Sequence, residues 1–150
     1  MANVDRINTD SIFRFVCDTI SRTCDLAYVE GAQGTARLLG CMHTFVRYII
    51  QPNEWTPLSD ELAAVKDYIT FCHLHNSNQS VKLPDDDSYF VRHMSLVGPV
   101  MDLCPIDEPD MNIDICVEII RNDTTSKQLV FTIKKESRSK SEEYKQQWDL

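Results

Sequence analysis

Glycine is scarce in this chain, with four in 150 residues. Loops that wrap phosphates in backbone N–H groups depend on glycine, so the shortage weighs against a nucleotide cradle. No C-x-x-C pair occurs among the six cysteines, which are scattered at positions 17, 24, 41, 72, 104 and 116. No apolar run approaches the roughly 18 residues of a membrane span. The start, MANVDRINTD, lacks the basic region and apolar core of a secretion signal. Positive charge is short as well. Fifteen basic against 23 acidic residues leave a net charge of −8, which opposes nonspecific attraction to nucleic acid or anionic lipid. Gly-x-Ser-x-Gly, Walker-type and His-Glu-x-x-His motifs are all missing.

What is there is enough for a core. Hydrophobic residues make up 43% of the chain, which suits one domain or two small, coupled pieces. Several of the scattered cysteines sit on apolar faces of predicted helices or strands and read as reduced, buried thiols of a cytoplasmic protein rather than as a disulfide framework.

The most regular stretch is 56–75, where Leu58, Leu62, Val65, Ile69 and Cys72 repeat at spacings of four, three, four and three. This predicts a helix with Thr56 as N-cap, Pro57 at its first position, and Asp60 and Glu61 in the first turns. Before it, Ile12, Phe13, Val16, Ile20, Thr23 and Ala27 predict a helix over about 10–30, capped by Thr9 or Asp10. Gly31 and Gly34 break it, and Leu38, Met42, Phe45 and Ile49 predict a second helix over 35–50. So short a link makes the two antiparallel neighbours. Both are apolar over more than one stripe, and dimerisation into a four-helix bundle through Val16, Ile20, Leu38, Met42 and Phe45 would cover the excess.

Further on, residues 76–80 read as a turn and 80–83 as a short strand. Residues 91–103 read as a kinked helix or as one starting near Pro99. Two period-2 runs, from Met111 to Ile119 and from Leu129 to Ile133, flank a turn signal at Asn122-Asp123 and predict a β-hairpin with one wet face. The tail from Lys134 is mostly charged, with Ser141 placed to cap a short helix carrying Tyr144 and Trp148. His73 and His75 diverge at a helix end, Asp85-Asp86-Asp87 lacks the spaced ligands of a calcium loop, and His93 supports no assignment.

Four segments, Ile7 to Arg14, Arg47-Tyr48, Thr56 to Ile69 and Gly98 to Leu103, in order over about 7–135, together resemble segments of the LytS/YehU-type sensor histidine kinases. Ile7-Asn8-Thr9-Asp10-Ser11-Ile12-Phe13-Arg14 is similar to the phosphoacceptor box, and Arg47-Tyr48 to the Leu-Arg-Tyr that follows it. Thr56-Pro57-Leu58-Ser59-Asp60-Glu61-Leu62 through Tyr68 resembles the Thr-Leu-Glu-Glu-Glu-Leu helix. Gly98-Pro99-Val100-Met101-Asp102-Leu103 resembles the Gln-Pro-Leu-Val-Glu-Asn that opens the ATP-binding box. The departures matter more. The acceptor histidine falls on Asp10, the magnesium-holding asparagine on Leu103, and the glutamate is shortened to Asp102. The family's Asp-Asn-Gly and glycine-rich lid give way to Lys135-Glu136-Ser137.

The resemblance implies an α+β protein: an antiparallel helical hairpin over 1–54 that dimerises as a four-helix bundle, a truncated, degenerate ATPase-like α/β sandwich over 55–137, and a charged tail over 138–150. It implies a pseudokinase with no catalytic residue, no cofactor and no metal. Such a module would bind a histidine kinase or response regulator through Asp10, Phe13, Arg14 and Cys17, with no nucleic-acid or membrane partner. Two other expectations stand beside it. One is a histidine phosphotransfer protein using His43, which is otherwise a structural or solvent-facing residue; the other is a small acidic inhibitor of an unrelated target.

Overall fold

The computed structural model of the chain describes residues 9–73, 79–85, 87–104, 112–123, 125–136 and 140–150. Expectations for Ile7, Asn8, His75, 76–78, Asp86, Met111 and Ser137, and for the side chains of Cys72 and His73, lie outside what is described. The architecture is α+β, and the chain divides into two compact units, Met1–Pro52 and Asn53–Leu150.

The first unit is a helical hairpin of α1 (Thr9–Val29) and α2 (Gln33–Ile49). Gly31 turns the chain at φ 75°, where a side chain would strain the backbone. Ala32 N–H reaches back to the Ala27 carbonyl at 2.8 Å and Gly31 N–H to that of Tyr28 at 3.1 Å, which closes a Schellman end on α1. Gly34, expected to break the chain, instead lies inside α2, and with Thr9 already helical, Asp10 sits in the first turn of α1 rather than at its cap. The inward face is narrower than its periodicity suggested. Ile20 and Ala27 of α1 and Ala36, Phe45 and Tyr48 of α2 are buried, whereas Ile12 and Thr23 face solvent. Ile20 and Phe45 are therefore consumed in closing the hairpin and are not available as the dimer face expected of them. The Cys24 thiol adds a contact across the hairpin, donating to the Ala36 carbonyl at 3.2 Å.

The second unit begins with β1 (Trp55–Pro57), paired antiparallel with β3 (Phe90–Arg92) so that Thr56 faces Val91. Thr56 is 1% exposed in this ladder and Leu58 N–H donates to the Tyr89 carbonyl at 2.7 Å. Thr56 and Pro57 are thus strand residues, not cap and first turn, and the helix that follows, α3, runs over Leu58–His73. The expected helix over 91–103 also divides: Val91 belongs to β3, and α4 (Val97–Leu103) starts two residues before Pro99.

β2 (Gln79–Lys82) runs parallel to β4 (Asn112–Arg121), which pairs antiparallel with β5 (Lys127–Glu136). The hairpin of β4 and β5 carries the expected alternation. The segment expected to be a tail with a short helix is a strand: β6 (Ser141–Asp149) pairs along the whole of β5 and ends the sheet, in the order β2-β4-β5-β6. Its inward residues Tyr144 and Trp148 flank Phe131, one edge-on at 6.1 Å and one stacked at 6.4 Å between centroids. The face made by Ile113, Ile115, Val117, Leu129, Phe131 and Ile133 is buried, as are Leu58, Val65 and Ile69 of α3 and Val97 and Val100 of α4, and these form the core. The other face is mostly polar, with Lys82 bridging to Glu118 at 2.6 Å. Among the described residues no helix is long and apolar enough to cross a membrane.

Candidate functional site

At the open end of the hairpin, α1 and α2 leave a cleft of about 460 Å³. Asp10, Phe13, Arg14 and Cys17 line it from α1, and His43, Arg47 and Ile50 from α2 and its end. The helical repeat explains the grouping. Positions 10, 13, 14 and 17 are spaced by three, four and seven, one side of a helix, and 43, 47 and 50 repeat the same spacing on the facing helix. The four residues named as a docking surface thus share one hollow, and His43, considered only as an isolated candidate, opens into it with them.

The cleft mixes charges. Arg14 and Arg47 bring two guanidinium groups, Asp10 and Asp18 two carboxylates, and Phe13 and Ile50 apolar surface. His43 and Cys17 are half-buried, and the Cys17 thiol is free of any disulfide. Asp10, in the first turn of α1, adds its charge at the end of the helix where the backbone dipole favours an anion. The arrangement suits recognition of a mixed polar surface by forked arginine donors and an aromatic contact. Among the described residues no three His, Cys, Asp or Glu side chains come together to hold a metal ion.

In the second unit, the residues aligned with nucleotide chemistry are differently employed. Leu103 is half-buried at the last turn of α4 and offers only hydrocarbon, and the neighbouring Cys104 carbonyl accepts the Tyr68 hydroxyl at 2.7 Å. Lys135 and Glu136 lie in the ladder opposite Glu142 and Ser141. Asp102 is exposed beside Leu103.

The least expected group is Glu61, fully buried on α3. Its carboxylate accepts the N–H groups of Leu96 at 2.8 Å, Val97 at 2.9 Å and Met94 at 3.1 Å. It satisfies the first donors of α4, whose N-terminal residue supplies no side-chain cap, and holds Met94 at φ 67°. Burial pushes its carboxyl above the ordinary range, opposed by those three donors and by His93. Glu61 builds the scaffold. The readable signal was its place on the apolar stripe, three residues after Leu58 and four before Val65.

No family model matches the chain, and no curated protein matches it.

Proposed function

We propose that the protein is a non-catalytic, histidine-kinase-like interaction module of a bacterial signalling system, cytoplasmic and homodimeric, that docks a kinase or response regulator. The observation that carries this reading is the single cleft shared by Asp10, Phe13, Arg14 and Cys17 with Arg47, because these positions come from two separate segments of the family resemblance. Asp10 in place of the acceptor histidine keeps a permanent negative charge at the docking surface and has no phosphoryl group to pass on. Leu103 supports the absence of ATP chemistry, since hydrocarbon cannot ligate magnesium. The two-unit α+β chain is taken as the hairpin and truncated ATPase-like sandwich of such a module.

A pull-down from the native host with the intact chain tests the reading, with recovery of a kinase or a receiver protein expected. Recovery of neither removes the signalling role. His43 supports a second reading, because it lines the same cleft as the two arginines. Incubation with a phosphorylated response regulator separates the two: an acid-labile label on this chain, lost in His43→Ala, makes it a phosphotransfer protein instead.

A further inference from the structure

The side of α1 turned away from the hairpin core carries a second apolar stripe. Ile12, Phe15, Thr19, Arg22, Leu26 and Val29 follow one another at spacings of three, four, three, four and three, the seam of a left-handed helix pair. All six are exposed, and the four apolar ones leave 46, 70, 55 and 82% of their surface to solvent in chain order. At 3.6 residues per turn the centre of this seam lies roughly opposite Phe13 and Cys17 and about 110° around the helix from Arg14, while Asp18 borders it. The seam runs for about 26 Å, with Ile12 and Phe15 at one end, Leu26 and Val29 at the other and polar Thr19 and Arg22 between them, a regular spacing that scattered surface apolar residues lack.

We infer that α1 pairs with α1 of a second copy of this chain, antiparallel, about a two-fold axis between Thr19 and Arg22. The spacing reads the same in both directions, so a reversed copy sets Ile12 against Val29, Phe15 against Leu26 and Thr19 against Arg22. Self-complementarity of this kind is what a two-fold interface requires. Charge selects the direction. A parallel copy would place Arg22 against Arg22, whereas the antiparallel copy brings each guanidinium to the hydroxyl of Thr19 and beside the carboxylate of Asp18 on the other chain. The Thr19 hydroxyl already donates to the Phe15 carbonyl at 2.7 Å, which leaves its lone pairs to accept from Arg22. The pairing provides a surface for the homodimer proposed above and rests on that part of the reading; of the cleft lining it engages Asp18 and leaves Asp10, Phe13, Arg14 and Cys17 open.

Sedimentation of the full chain over a micromolar concentration series tests it, with a reversible monomer–dimer equilibrium expected. Phe15→Glu with Leu26→Glu should give a monomer at every concentration with the melting profile of the diluted wild type, since both side chains are exposed. Arg22→Glu should weaken dimerisation at least tenfold, and adding Thr19→Lys should restore it, because positions 19 and 22 meet only in the antiparallel pair. A monomeric wild type, a dimer indifferent to the glutamates, or a double variant no better than Arg22→Glu would each overturn the inference. Docking of a receiver by a monomeric chain would show that the cleft reading survives when this one fails.

Discussion

Glu61 on α3 accepts a hydrogen bond from the N–H of Val97, the first residue of α4, at 2.9 Å, with both residues fully buried. One carboxylate thereby serves as the cap of a helix 36 residues away in the chain. Glu61→Ala would leave the N–H groups of Met94, Leu96 and Val97 without this acceptor and open a cavity beside them. A loss of about 3 kcal/mol is expected, read as a lowered denaturant midpoint. Glu61→Gln keeps one acceptor oxygen but turns an NH₂ toward the donors, and should lose less than the alanine variant. Equal stability of wild type and Glu61→Ala would mean that α4 does not depend on the contact.

The same carboxyl fixes a pH dependence. Its folded-state value is raised above the ordinary 4.5, with desolvation as the largest cause. Folding therefore takes up a proton in the window from 4.5 to that raised value, and this contribution to stability falls as pH rises through the window. Glu118 and Glu142 act in the opposite sense. Lys82 and Lys140 hold their carboxyls below 4.5, so their small, solvent-screened contributions are lost as pH falls below that value. Stability should thus rise on acidification through the window that lies above 4.5 and decline below it. Melting temperatures across this range check the shape, and Glu61→Gln should remove the upper slope while leaving the lower one.

Phe131 depends on the last strand. It is fully buried between Tyr144 and Trp148, and β6 supplies both. Trp148→Ala should cost about 2 kcal/mol through lost ring contact and apolar area, and a chain ending at Lys140 should expose Phe131 and the edge of β5 and aggregate. Normal solubility of the shortened chain would contradict this placement of β6.

How far the sequence could be read follows from where each element finds its partners. The hairpin helices and the ladder of β4 with β5 were legible, because their buried residues alternate or repeat along the segment itself. β6 was not. Its sequence, SEEYKQQWD, alternates only weakly, with Glu142 and Gln146 on the same face as Tyr144 and Trp148, and its state is set by pairing with β5. Thr56-Pro57 has the chemistry of a helix start, yet β3 pairs it into a ladder from more than 30 residues away. The cleft was half legible: one face of α1 was named residue by residue, while the meeting with His43 and Arg47 depends on the hairpin register that Gly31 sets.

Asp10 offers the sharpest test of the docking reading. It occupies the first turn of α1, where the helix dipole favours its carboxylate, and lines the cleft with Arg14 and Arg47. Asp10→Asn keeps the size and most hydrogen-bonding capacity of the side chain but removes the charge. If the charge contacts a partner, affinity should fall by on the order of 1 kcal/mol, with a larger loss at low salt than at high salt because the site is open to solvent. A purely helical role predicts something different: a small drop in melting temperature and no change in affinity. Binding titrations of both proteins against the recovered partner, at two ionic strengths and beside their melting curves, separate these outcomes. Unchanged affinity at low salt would leave Asp10 a helix-stabilising residue and shift the weight of docking to Phe13, Arg14 and Cys17.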